Sequence, residues 1–440
     1  MGLFGVLLFW ISIVGYVAWV ALVILEAAFI AIFGAAVAWT VGRRGRLVSV
    51  LAPVVLWVAV EFLRCNVPLG GFTWGQLAQS QHDLGWMLRA ASLGGGWLVS
   101  AVLLLANSLL ADAVVSIRGK RSVAAGAAVG LAALVLIAPV LVPVPGATGD
   151  PVRVAIVQGN VPRDFEGDRF EKELAIVHSH RVLTEGLAPE DVDLVVWPES
   201  SVGVDMEKIP IVADEVEAAA RAVGKPMIVG GNLDRGSNNY LVMAFLVDER
   251  GRVADRYQKT HLVPFGEYVP VRDLLDWIPQ LDQVPRDALP GQEGKVFEVA
   301  GGTVAPVISF EGDFGSLVRN RIDAGGRMLV VATNTSTWGH SHASAQHVAF
   351  SQVRAAENRV WVTHAALSGI SAFIEPDGSI VETTELYAPT TAIRSLRFVD
   401  EVSFYARTGD WFPWLGVVAS LGLLASAVLS RGGEVPSDDA

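Results

Sequence analysis

The sequence predicts two structural classes in one chain: an all-α bundle of membrane-spanning helices and a layered α/β domain. Two observations carry this. With 440 residues, 52% of them hydrophobic, and a mean hydropathy of +0.44, the chain is too apolar for one soluble globule. Its polarity is also segregated, because long uncharged runs fill residues 1–146 and a stretch near 412–430, while residues 151–400 are mixed like a water-soluble domain.

Residues 3–42 carry a single charge, Glu26. Forty helical residues would reach roughly 60 Å, about twice the hydrocarbon thickness. Two spans, near 3–23 and 24–42, are therefore expected. Further spans are expected at 48–64, 95–116 and 122–144, and a sixth within 405–431. An outer loop covers 65–94, and the polar tail 432–440 reads as unstructured. Met1 is followed by an apolar run without a basic segment, so a cleaved signal peptide is not expected.

Lys and Arg concentrate in short cytoplasmic loops. The clusters Arg43/Arg44/Arg46, Arg118/Lys120/Arg121 and Arg431 share one side when six spans are counted. On this count a single span over the first 42 residues would split them. Residues 65–94 and the whole 151–411 region then lie on the opposite, extracytoplasmic side.

Within that region, the apolar runs 152–158, 193–197, 226–230, 304–308 and 328–333 read as buried strands. Ala345, Ala349, Val353 and Ala356 share one helical face. A layered α/β domain of about 250 residues follows.

Formal charge is −12, from 45 acidic and 33 basic residues, with no long basic run, which excludes nucleic acid as the main partner. The one cysteine, Cys65, excludes an intrachain disulfide and a CxxC metal site, and it reads as a small packed side chain. His340, His342 and His347 form an H-x-H-x4-H pattern, but no acidic or cysteine partner stands at ligand spacing, so neither metal nor cofactor is expected. Glu26 and Glu61 would be costly in lipid and are expected to face the bundle interior or a polar cavity.

Three positions fall where open α/β sheets place their ligands. Glu199 follows the run 194–197 in Trp-Pro-Glu-Ser; Lys259 lies in YQKTHLVPFGEYVP at 257–270; Ser309 ends the run 304–308, ahead of a helix that Asp313 could cap. A nucleophile at a strand-to-helix turn gains exposure and a helix dipole. A carboxylate can serve it as general base and a lysine can hold the oxyanion. Singly, each of these residues is more often a solvated loop residue.

In combination and order, Glu199, Lys259 and Ser309 resemble the triad of the nitrilase superfamily. Pro-Glu-Ser at 198–200, the 257–270 run, Tyr-Ala-Arg-Thr-Gly at 405–409, Glu-Phe-Leu-Arg at 61–64 and Gly-Phe-Thr-Trp at 71–74 are similar to the apolipoprotein N-acyltransferase family over nearly the whole chain. The resemblance implies an αββα nitrilase-like sandwich joined to the bundle in a bacterial plasma membrane. It implies acyl transfer from a phospholipid donor to the N-terminal amine of a lipoprotein substrate, through an acyl-enzyme. It assigns Glu199 as general base, Lys259 as oxyanion stabiliser, Glu267 as a supporting carboxylate, and Phe310 and Glu311 beside the nucleophile. Oligomeric state stays open.

The sequence departs from the family pattern at the nucleophile, where Ser309 replaces cysteine, at Phe310, where tyrosine is usual, and at Gly167, where tryptophan is expected. An alcohol needs a stronger base than a thiol does. The resemblance further implies two helices ahead of the first span seen here. Three explanations compete: an engineered Cys-to-Ser exchange, against which Phe310 and Gly167 argue because it would leave its neighbours intact; natural divergence into a weak or silent homologue, which accounts for all the departures; and a serine-based transferase, which accounts for the first alone. Two rival readings remain at this level: a non-catalytic binder of lipoproteins or of a membrane partner, and a membrane-anchored amide hydrolase.

Overall fold

The computed structural model describes residues 1–41, 45–144, 149–162, 165–275, 277–299 and 301–432. Arg43, Arg44, the tail beyond 432 and part of the expected 146–151 boundary lie outside them. The chain divides into two compact units, residues 1–143 with 408–440, and residues 144–407.

In the first unit, five helices among the described residues are long and apolar enough to cross a membrane: Tyr16–Val41, Arg46–Arg64, Ala91–Arg118, Ser122–Leu141 and Trp411–Leu429. The expected split of the first 42 residues into two spans is corrected. Short helical pieces at Gly2–Leu7 and Phe9–Ile13 precede one continuous helix from Tyr16. The physical break falls at Val14 and Gly15, and the 26 residues that follow contain no proline and one glycine, so nothing interrupts them. That helix is roughly 39 Å long, enough to span with some tilt.

The expectation that a single first span would split the basic clusters is corrected as well. Two spans separate the first cluster from the second, and two separate the second from Arg431. The clusters share a side whatever precedes residue 43.

Glu26, Glu61 and Arg64 are buried. Arg64 Nη1 donates to Glu26 Oε2 at 2.7 Å and to the carbonyls of Phe72 (3.0 Å) and Trp74 (2.7 Å), while Glu61 Oε1 accepts the Leu77 N–H at 2.9 Å. These charges tie helices to the 65–90 loop. Cys65 packs with Phe62 and Trp97.

The second unit is two sheets between two helical layers. One sheet has the order β13 (Thr390–Arg397), β1 (Pro151–Gln158), β2 (Leu194–Asp205), β3 (Met227–Arg235), β4 (Asn239–Val247), β5 (Val253–Gln258), with the two-residue β6 (Asp287–Ala288) beside β4; the other runs β12 (Ile380–Thr383), β11 (Ala372–Ile374), β10 (Val362–Ala366), β9 (Met328–Thr333), β8 (Gly302–Ile308), β7 (Phe297–Val299). β1, β2 and β3 are mutually parallel, as are β8, β9 and β10.

Alternation along the strands builds the layers. Val152, Val154 and Ile156 meet Val304, Ile308 and Val330 in the core between the sheets. Ala155 and Val157, from the opposite face of β1, pack with Val177 and Val216 of the helices Arg169–Glu185 and Pro210–Val223. Ala305 and Val307 likewise pack with Val318 and Val348 of the helices Gly315–Asp323 and Ala343–Asn358. The expected αββα sandwich is present.

Candidate active site

Glu199 does not simply follow its strand, as the sequence suggested. β2 continues to Asp205, but its register against β3 shifts between Trp197 and Val202, and Ser200 adopts a φ of 59°. This bulge presents the Glu199 carboxylate. Gly230 of β3 permits it, because a Cβ there would stand 2.2 Å from the Pro198 carbonyl oxygen and 2.6 Å from the Glu199 Cα.

Lys259 is the first residue beyond β5 and is 1% exposed. Its Nζ donates to Glu199 Oε1 at 3.1 Å and to Glu267 Oε1 at 2.6 Å. Glu267 Oε2 in turn accepts the Val263 N–H at 2.8 Å, which closes the loop around the ammonium. Burial opposes the charge on Lys259, but the two carboxylates outweigh it and hold the amine above its ordinary value. Burial pushes Glu267 upward, with Lys259 pulling it back. An ammonium has three N–H donors. Two are taken by these carboxylates, and among the described residues no third acceptor is present.

Ser309 follows β8 with a φ of 47°, the left-handed region that β-carbon sterics disfavour. A tight 3-10 turn, Ser309–Asp313, holds it there. Glu311 organises that turn. Its Oε2 accepts the Ile308 N–H at 2.9 Å, and its Oε1 accepts the N–H groups of Thr260 (2.8 Å) and His261 (3.2 Å), the Thr260 hydroxyl (2.7 Å) and the Tyr257 hydroxyl (2.5 Å). One buried carboxylate thereby fixes the lysine loop against the serine turn. Arg321 Nη2 donates to the Tyr257 hydroxyl and, at 3.1 Å, to Thr260 Oγ1.

Glu199 and Ser309 meet at the end of β9. Glu199 Oε2 accepts the Asn334 N–H at 2.8 Å, and Ser309 Oγ pairs with Thr333 Oγ1 at 3.0 Å. Among the described residues Ser309 Oγ bonds to neither Glu199 nor Lys259. Phe310 is buried against His261 and Phe314, with ring centroids 5.5 and 4.9 Å away. Asp313 is not a helix cap: Phe314 occupies that position in front of Gly315–Asp323, and the Asp313 carboxylate is turned to His347.

Two family models match this chain, an apolipoprotein N-acyltransferase N-terminal domain over residues 1–109 and a carbon-nitrogen hydrolase domain over residues 153–402. An apolipoprotein N-acyltransferase of Geobacter metallireducens is 31% identical over 97% of this chain and 84% of its own length. The chain belongs to the apolipoprotein N-acyltransferase family. A second relative of that name, from Gloeobacter violaceus, is 29% identical over 92% of this chain and 79% of its own. Among solved structures, the chain is similar to an amidase from Nesterenkonia sp. at 17% identity, with a TM-score of 0.45 over 57% of this chain and 92% of that one.

As a family member with five apolar, span-length helices among the described residues, the chain is a membrane protein. Sequence reasoning missed Tyr257, Arg321, Thr333, Asn334 and His347 around the site. Tyr257 opens the motif centred on Lys259 and could have been flagged there; a threonine ending a buried strand carries no such signal. At Gly167, where family resemblance called for tryptophan, a Cβ would stand 2.5 Å from the Phe165 ring and 2.6 Å from Glu171 Oε2, both side-chain ends that can turn aside. His340 lies against Tyr387, whereas His347 is buried beside His364, so the histidine pattern does not converge.

Proposed function

We propose that this chain moves an acyl chain from a phospholipid to the α-amino group of the lipid-modified N-terminal cysteine of a lipoprotein, by way of an acyl-enzyme on Ser309. The observation that carries the reading is the convergence of Glu199 and Ser309 on residues 333–334, with a charged Lys259 whose third N–H is uncommitted.

In the first half-reaction Ser309 Oγ attacks the ester carbonyl, Lys259 holds the developing oxyanion, and the bond to the glycerol oxygen breaks. The lysophospholipid leaves with the proton that Ser309 gave up. In the second, the amine attacks the Ser309 ester, Glu199 takes its proton as general base, the C–Oγ bond breaks and the serine hydroxyl is restored. Glu267 keeps Lys259 charged and in place. Glu311 and the packed Phe310 set the turn that presents Ser309. Lipid tails need a lateral, apolar approach, which a spanning bundle supplies. Charge placement supports a cytoplasmic side for the three basic clusters, and thus an extracytoplasmic catalytic domain at the leaflet where lipoproteins arrive.

The test is acyl-enzyme formation, read by intact mass after incubating the purified chain with labelled phospholipid beside Ser309→Ala and Ser309→Cys versions. A label on the native chain that disappears in Ser309→Ala is the expected result. A label on the Ser309→Cys version alone would sink the serine acyl-enzyme and leave a binder.

A further inference from the structure

Ser309 faces a line of buried polar groups that the reaction above does not use. Its Oγ is 3.0 Å from Thr333 Oγ1; Thr333 Oγ1 is 3.4 Å from His347 Nδ1; and His347 Nε2 is 3.1 Å from Asp313 Oδ1. Thr333, His347 and Asp313 are each no more than 1% exposed. Three elements contribute: the end of β9, the helix Ala343–Asn358, and the turn that carries Ser309 itself.

Hydrogen-bond accounting gives the line a direction. A carboxylate accepts only, so the His347 ring facing Asp313 presents Nε2–H, which leaves Nδ1 as the acceptor. Thr333 must then donate to Nδ1, and its oxygen is free to receive the Ser309 hydroxyl. Neither Asp313 oxygen has a hydrogen bond among the described residues, and His347 Nε2 stands at ion-pair distance, 3.1 Å from Oδ1. An acceptor buried that way is costly unless the ring beside it carries positive charge at some stage. Burial pushes the Asp313 carboxyl above its usual range, and His347 and then Arg354 draw it back. His364, 5.0 Å from the His347 ring, is held neutral by burial and does not compete for the proton.

The site also has a need for such a line. The Glu199 oxygens are taken by Lys259 and by Asn334 N–H and neither bonds Ser309 Oγ, so this carboxylate is not placed to take the serine proton.

We infer that Thr333 and His347 form a proton relay for Ser309, with Asp313 orienting the imidazole, so that this nitrilase-type site activates an alcohol through a histidine. On attack the Ser309 proton passes to Thr333 Oγ1 as the Thr333 proton passes to His347 Nδ1. When the tetrahedral intermediate collapses, the same proton returns through Thr333 to the departing alkoxide. Glu199 then serves the incoming amine. Thr333 touches the reacting Ser309 Oγ and is catalytic, whereas His347 acts through Thr333 and Asp313 is a positioning residue behind the ring. This inference rests on Ser309 being the nucleophile.

The test is the rate of covalent labelling by a long-chain alkyl fluorophosphonate on the full chain in detergent. In that reaction Oγ–P forms, P–F breaks, fluoride leaves, and the serine proton is taken up by the relay. Labelling at Ser309 is expected to slow by about 100-fold or more in His347→Gln and in Thr333→Val, the scale of lost general-base catalysis, while Thr333→Ser recovers the rate to within about threefold of the native chain. In a Ser309→Cys background the His347→Gln loss should shrink by at least about tenfold, because a thiol forms its own nucleophilic anion near neutrality. Equal labelling of the native and His347→Gln chains would overturn the relay and leave the acyl-enzyme reading standing. An undiminished His347→Gln loss in the cysteine background would reduce His347 to a structural role and also overturn it. A native chain that never labels, beside a Ser309→Cys version that takes acyl chains from phospholipid, would remove both.

Discussion

Each unit of this protein buries a cation, and the two are held differently. In the membrane unit, Arg64 is set among Glu26 and the carbonyls of Phe72 and Trp74, so its partners are structural groups of the same unit. In the α/β unit, Lys259 is clamped between Glu199 in the β2 bulge and Glu267 in the loop after β5, with one donor left uncommitted. The difference teaches how to tell a brace from a working group. A brace is bonded to backbone that must not move, even though Arg64 Nη2 itself has no partner among the described residues, and a working group is held by side chains alone and faces a molecule that is not yet there.

The largest expected effect tests the brace. Arg64→Leu leaves Glu26 buried without its cation and frees the 72–74 carbonyls, a loss of about 3–5 kcal/mol for breaking a buried pair. It should lower the thermal unfolding midpoint in detergent sharply, while labelling of Ser309 per folded molecule stays near the native rate. A collapse of that rate at unchanged stability would break the comparison. The reverse split is expected of Lys259→Met: acyl-enzyme formation falls by about 10²–10³-fold, the cost of one oxyanion donor. The check is the same labelling rate, measured beside the unfolding midpoint.

A third buried group shows that a saturated site need carry no charge. His180 accepts the Gly159 N–H at 3.1 Å through Nε2 and gives its Nδ1–H to the Ile176 carbonyl at 2.8 Å. Burial lowers its pKa to about 4. Below its ordinary value near 6.5 the unfolded chain takes up a proton that the folded chain refuses, so stability is intact above that pH and is lost as pH falls toward about 4. The full loss is about 3 kcal/mol at 1.36 kcal/mol per pKa unit. His180→Asn should flatten that acid limb of the unfolding midpoint; an unchanged limb would put the titration elsewhere.

Much of this was legible from the residues. The Glu199, Lys259 and Ser309 positions follow apolar runs whose buried-strand character is plain, and the lysine motif is long enough to be distinctive. The membrane boundary was hard for a physical reason: from residue 3 to 42 nearly every residue is apolar, so periodicity gives no break, and the chain turns at Gly15 and not midway. The β2 bulge was invisible because it depends on Gly230 of a neighbouring strand. Thr333 and His347 were missed because a hydroxyl at a strand end is ordinary, and because spacing grouped His347 with His340 when the helix turns it inward to Asp313.

Glu311 gives the finest discrimination, because it is a brace inside the working site. Its two oxygens collect donors from Tyr257, Thr260, His261 and Ile308, three of them backbone N–H groups, as Arg64 is bonded to backbone in the membrane unit. Glu311→Gln keeps the shape but turns one end into a donor facing donors, at a cost of about 1–3 kcal/mol. If bonding to backbone marks a brace wherever it lies, this variant should lose stability first. Its labelling rate should fall by only about tenfold, through misplacement of Lys259 against Ser309, well short of the Lys259→Met effect. A rate loss equal to that of Lys259→Met at native stability would mean that the Glu311 charge itself acts on the reaction, and that bonding to backbone does not separate the two kinds of buried charge.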